Sequence, residues 1–217
     1  METLLAMNNH FFTSTLPSKT ARLMEIFQED KPDFLENFYL SGGTALSLQL
    51  GHRESEDLDF FCKKSFNPQQ LQQILLKYGQ LKQTELSKGT VNVFLNGVKL
   101  QFLEYNYDLI RPTVKWKSFY LSSVEDIACT KLQTIGMRGS KKDFIDLYFL
   151  LTDYSLEKLF KLMEKKYKQV DYSKTHIIKS LVYFKDAEGQ PMPRMHKKVA
   201  WSEVKEAMIR TVKLVQF

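Results

Sequence analysis

The stretch from Phe38 to Phe61 constrains this chain more than any other, because it alternates extended and helical character around two chemically distinctive turns. An apolar segment ends in Ser41-Gly42-Gly43-Thr44, and a second extended run follows as Asp57-Leu58-Asp59-Phe60-Phe61. Two glycines before a hydroxyl residue suit a tight strand-to-helix turn that brings backbone amides against a phosphate. Asp57 and Asp59 lie two apart in a run that reads as a strand, so both carboxylates point to one face and offer a divalent-metal site. Either half alone also occurs at ordinary turns and solvated strand edges. Together, in strand-helix-strand order, they place hard oxygen ligands beside a phosphate cradle formed by the amides of Gly43 and Thr44.

A second group of charged residues lies further along. Ser122-Ser123-Val124-Glu125 has the form of a capping box, which starts a helix near Val124 that carries Ile127, Ala128, Leu132 and Ile135. Lys131 is on this helix and Arg138, seven positions on, shares nearly the same face. Gly136 and Gly139 loosen or stop it. The next helix begins around Lys141 and sets Asp143 and Asp146 on a shared face, with Phe144, Leu147, Leu150 and Leu151 turned to a core. A cationic pair and an acidic pair therefore meet around one short loop. The residues by themselves slightly favour a surface salt bridge between Lys131 or Arg138 and Asp143 or Asp146 over a binding site.

The two blocks together resemble the AbiEii/AbiGii toxin family of nucleotidyltransferases, within the polymerase-β-like superfamily. The resemblance rests on Gly42-Gly43-Thr44-Ala45-Leu46, on Gly51-His52-Arg53, Ser55 and Asp57-Leu58-Asp59-Phe60-Phe61, and on Lys131-Leu132, Arg138-Gly139 and Lys142-Asp143-Phe144-Ile145-Asp146-Leu147-Tyr148. It extends over roughly residues 35 to 155. It implies an α+β (α/β) nucleotidyltransferase-like mixed sheet flanked by helices and followed by a C-terminal helical region. It also implies nucleotidyl transfer from a nucleoside triphosphate, with Mg²⁺ or Mn²⁺ held by Asp57 and Asp59. Gly42, Gly43 and Thr44 would hold phosphate, Arg53 and Ser55 would line the nucleotide pocket, and Lys131 with Arg138 would contact the triphosphate. Asp143 or Asp146 would be the partner of Lys131 or a base, and the sequence leaves both open. The same resemblance implies a toxin of a toxin-antitoxin or abortive-infection (phage-defence) pair, with a cognate antitoxin and tRNA or another RNA as acceptor.

One position departs from the superfamily pattern, in which a third carboxylate often sits on a later strand. The matching strand here is Val98 to Glu104, and the aligned residue is Gln101, which offers a carbonyl oxygen without charge. Glu104 is out of phase with it. This motivates an alternative, a non-catalytic nucleotide- or RNA-binding module of the same fold. A small-molecule nucleotidyltransferase is the other.

The chain has 217 residues and 43% hydrophobic content, enough for one compact catalytic core over 1–120 with an N-terminal helix, and a helical region over 121–217. Expected elements are a helix from Ser18, strands at Phe38–Leu40 and Leu58–Phe61, and helices at Ala45–Leu50 and from Asn67-Pro68. Extended runs follow at Leu81–Leu86, Thr90–Leu95 and Val98–Leu103, the last two joined by Asn96-Gly97. Glu188 to Pro193 breaks the helical pattern before a last helix, Trp201 to Leu214, near which Trp201 and Phe217 are candidate partner contacts.

No apolar run reaches membrane-spanning length and no secretory start is seen, so a soluble, cytoplasmic protein with reduced Cys62 and Cys129 is expected. The net charge of +6 allows an acidic partner. Late lysines at 158, 161, 165, 166, 168, 174, 179 and 185, with Arg194, Lys197 and Lys198, interleave with Tyr154, Tyr167, Tyr172 and Tyr183. That mixture is a candidate surface for an RNA acceptor.

Overall fold

A computed structural model describes residues 10–215; Phe217 lies outside them. Seven strands form one mixed sheet in the order β3-β4-β5-β2-β1-β7-β6. They are β1 (Tyr39–Ser41), β2 (Leu58–Cys62), β3 (Leu81–Ser87), β4 (Thr90–Leu95), β5 (Val98–Glu104), β6 (Val114–Trp116) and β7 (Phe119–Leu121). β2 is antiparallel to β1 and parallel to β5, with Asp59 opposite Gln101 and Phe61 opposite Leu103. The β4–β5 hairpin turns at Asn96 and Gly97, both with positive φ, as a two-residue Asn-Gly loop requires.

Strict alternation explains how the sheet divides its faces. Along β2, Leu58, Phe60 and Cys62 are buried while Asp59 and Phe61 are only half-buried. Along β5, Leu100 and Phe102 are buried and Lys99, Gln101 and Leu103 are less so. The apolar face packs Phe60 on Phe102, ring centroids 4.9 Å apart, against Phe34 and Phe38. The other face carries the polar residues, and helices close over it.

The α-helices among the described residues are α1 (Ser18–Asp30), α2 (Phe34–Asn37), α3 (Gly42–Leu50), α4 (Pro68–Leu76), α5 (Val124–Arg138), α6 (Lys141–Leu150), α7 (Leu156–Lys166), α8 (Lys174–Ser180), α9 (Lys185–Glu188) and α10 (Trp201–Lys213). α3 starts at Gly42, earlier than its apolar residues suggest, and ends on Gly51 in the left-handed conformation. α5 starts at Val124, as expected, and its cap is Ser123, whose hydroxyl accepts from the amide of Asp126. Gly136 does not interrupt it. A Cβ there would lie 3.0 Å from Ile177 Cγ1, so the glycine admits α8 against α5. The two short strands β7 and β6, which end the sheet beyond β1, and the single turn α2 were not expected, because three- or four-residue elements carry too little periodicity to read.

One hydrophobic core runs from Leu23 to Val215, so the sheet and the late helices share it. The late basic stretch is correspondingly not all surface. Lys166 is buried against Asp126 at 2.7 Å, and Tyr167 is buried with its hydroxyl 2.8 Å from that of Tyr105. Between α9 and α10 the irregular segment 189–200 lies across the loop after α3. The amides of His196 and Lys197 donate to the His52 carbonyl, and that of Glu54 donates to the Arg194 carbonyl. No helix among the described residues is long and apolar enough to cross a membrane, and Cys62 and Cys129 are free and buried.

Candidate active site

The site is built on the close approach of β2 to the start of α3. Gly42 has φ +65°, and a Cβ there would lie 2.1 Å from Asp59 Oδ2; one on Gly43 would lie 2.7 Å from Arg53 Nη2. Two side chains thus abut bare backbone, which is why this turn needs two glycines. The side chain of Ser41 does not cap α3; its Oγ accepts from Ser122 Oγ at 2.9 Å. The first amides of α3 are therefore left for a ligand. Thr44 is fully buried, with its hydroxyl bonded to the Asp57 carbonyl and 2.9 Å from Ser55 Oγ, so its side chain ties the turn to the acidic loop.

Asp57 precedes β2 rather than lying in it, and Asp59 is its second residue. Burial, then the neighbouring Asp57 charge, push the Asp59 carboxyl up to about 6. Gln101 stands beside Asp59 in register, and its amide nitrogen donates to Asn92 Oδ1 at 2.9 Å. Among the described residues no group of three or more His, Cys, Asp or Glu gathers. Two carboxylates nevertheless suit Mg²⁺, which keeps several waters and takes further oxygens from substrate phosphates. A carboxylate whose charge is disfavoured by burial and by a like neighbour fits such a cation.

Behind this floor lies a buried ion cluster. Arg53 binds Asp146 through two nitrogens at 2.6 and 2.8 Å, Lys131 reaches it at 2.6 Å, and His52 Nε2 lies 2.8 Å away. Burial alone would raise the Asp146 carboxyl, but Arg53 and Lys131 hold it well below the usual range. Burial lowers His52 despite Asp146, which makes it a neutral donor. Lys131 also meets Asp143 Oδ1 at 2.8 Å, while Asp143 Oδ2 accepts from Ser140 in the capping box of α6. Arg53 and His52 are 1% and 0% exposed, so the loop that carries them is no solvent-facing turn.

A cavity of about 540 Å³ opens over these groups. Gly42, Gly43, Arg53, Ser55, Asp57, Asp59, Lys131, Arg138 and Asp143 all line it. Thr44 and Asp146 do not. Exposed Lys99, Arg138 and Lys142 add positive charge. Among the described residues after 150, Asp186 and Gln190 alone reach the cavity, and none of the late lysines and tyrosines does. Sequence reasoning missed Lys99, whose alternation with Gln101 placed it on this face, and Lys142, which was noted only as part of a motif. It also missed the burial of His52, which depends on residues 196 and 197 and has no local signal.

A 40% identical protein of Aquifex aeolicus, itself uncharacterized, aligns over 183 residues, 82% of this chain and 87% of its own. Two Helicobacter pylori structures share the fold: one titled as a nucleotidyltransferase by assignment only, at TM-score 0.56 and 20% identity over 90% of this chain and 92% of that one, and JHP933 at 0.55 and 19% over 92% of each. The sequence model described as the nucleotidyl transferase AbiEii toxin of type IV toxin-antitoxin systems matches residues 25–102 and 109–216. The chain therefore belongs to the AbiEii family of nucleotidyltransferase toxins.

Proposed function

We propose that this protein transfers a nucleotidyl group from a nucleoside triphosphate to an RNA acceptor, tRNA being the first candidate, as the toxin opposed by a cognate antitoxin in phage defence. The observation that carries the reading is the Asp57/Asp59 pair beside the uncapped start of α3 in a cavity lined by cations. Gly42, Gly43 and Thr44 offer amides to the phosphates that leave. Asp57 and Asp59 would hold Mg²⁺ or Mn²⁺, which supplies charge neutralisation at the phosphates when bound. Lys131 and Arg138 counter the charge that grows on the departing pyrophosphate. The acceptor hydroxyl oxygen bonds to the α-phosphorus as the bond from that phosphorus to the α–β bridging oxygen breaks; pyrophosphate leaves with the bridging oxygen and the hydroxyl proton passes to solvent. Asp143 positions Lys131, and Asp146 fixes Arg53 and Lys131 from behind.

The test is purified protein with Mg²⁺, each of four α-labelled nucleoside triphosphates and total cellular RNA, beside Asp57→Asn. Label is expected in RNA only with the intact aspartate, while the variant keeps its melting temperature. Transfer by folded Asp57→Asn would refute the metal-ligand role. Gln101 at the third-carboxylate position favours a second reading, a binding module without turnover. Metal-dependent nucleotide binding with no label in RNA or in any small hydroxylated acceptor would select it.

A further inference from the structure

The cavity changes character along the sheet. At one end β2 and β5 present Asp59 and Gln101; two residues on, the same strands present Phe61 and Leu103, paired in register. Tyr105 follows, its amide donating to the Cys62 carbonyl at 2.7 Å. Phe61, Leu103 and Tyr105 all line the cavity. Residues two apart on a strand are spaced about 7 Å, roughly the span of a ribose between a phosphate and its base.

The aromatic end is rigid. The Phe61 and Tyr105 rings stand 4.8 Å apart at 31°. Tyr107 meets Tyr105 edge-on at 4.7 Å, Lys166 lies 5.5 Å over the Tyr105 ring, and the Tyr105 hydroxyl bonds that of Tyr167. A ring held on several sides loses little freedom when a ligand stacks on it. On α5, Gln133 also lines the cavity, and its side-chain amide makes no hydrogen bond with a described residue. An amide offers both a donor and an acceptor to the edge of a base.

We infer that Phe61 and Tyr105 form a stacking platform for a nucleobase and that Gln133 reads its edge, so this end of the cavity sets nucleotide preference. The inference rests on the nucleotidyl-transfer reading of the site. The base belongs either to the incoming nucleotide or to the acceptor's terminal residue.

The experiment measures Mg²⁺-dependent binding of each of four nucleoside triphosphates and of inorganic tripolyphosphate, which has no base, together with the KM for RNA. Phe61→Leu is expected to weaken nucleotide binding about tenfold and leave tripolyphosphate within twofold. Gln133→Ala is expected to narrow the spread among the four nucleotides. Unchanged nucleotide binding with a KM for RNA raised about tenfold assigns the platform to the acceptor's base and supports the inference. A folded Phe61→Leu protein unchanged in every readout, the KM for RNA included, overturns the platform while the transferase reading stands. A wild type that binds neither overturns both. Melting curves accompany each variant, and Tyr105→Leu replaces Phe61→Leu if the latter does not fold.

Discussion

Asp59, half-buried in the floor of the cavity, and Asp146, fully buried behind it, sit in environments that pull their proton affinities apart. Asp59 keeps company with another carboxylate, whereas Asp146 has two cations and a neutral imidazole. Because the Asp59 carboxyl is raised to about 6, the folded state binds its proton more tightly than the unfolded chain. That stabilisation is complete below pH 4 and disappears as the pH rises through about 6. Asp59→Asn should therefore stabilise the metal-free protein at pH 8 by on the order of 1–3 kcal/mol and do nearly nothing at pH 4. Thermal melts in chelator at the two pH values check this. Asp146 has the opposite sign: its contribution is present above the ordinary carboxylate range and is lost only as pH falls through its depressed value. Asp146→Asn leaves Arg53 and Lys131 buried without their shared counter-charge and should cost about 3–5 kcal/mol in urea unfolding. At this scale the sequence was half legible. The Asp57/Asp59 alternation and the two glycines were readable because period and turn geometry are local. Which of Asp143 and Asp146 meets the cavity was not, because both lie on one helix face and only the arrival of Arg53 from a distant loop separates them.

The junction of β1 and α3 holds the element-scale argument. Gly42 combines a positive φ with contact against Asp59, so an alanine meets backbone strain and a collision together. Gly42→Ala should lower the urea midpoint by an amount equivalent to about 1–2 kcal/mol and abolish nucleotide binding, since relief of the clash moves Asp59. Equilibrium dialysis with labelled nucleotide separates this from simple destabilisation. The same junction shows why helix boundaries were harder to read than helices. Apolar residues mark the interior of α3, but its first turn is written by what lies beside it. Strands β3, β4 and β5 were legible to within a residue at each end, helped by the Asn96-Gly97 turn. The pair β6 and β7 was invisible because each strand is stabilised by its neighbour rather than by its own pattern.

For the whole molecule, the shared core and the Arg53–Asp146–Lys131 cluster bind the sheet to the helices. A single urea transition is expected when residues 1–120 and 121–217 are probed by separate fluorophores; two resolved transitions would show that the two parts fold independently. The sequence indicated a sheet followed by helices. It did not indicate that segment 189–200 returns to the loop after α3, because main-chain hydrogen bonds between irregular segments leave no mark in residue type. That return has a consequence during synthesis. The carbonyl of His52 finds its two amide partners only at residues 196 and 197, and Arg53 finds its carboxylate only at residue 146. On the ribosome, the loop after α3 stays unassembled until most of the chain has emerged, so a prematurely terminated product would carry the motif without the cavity it helps to line.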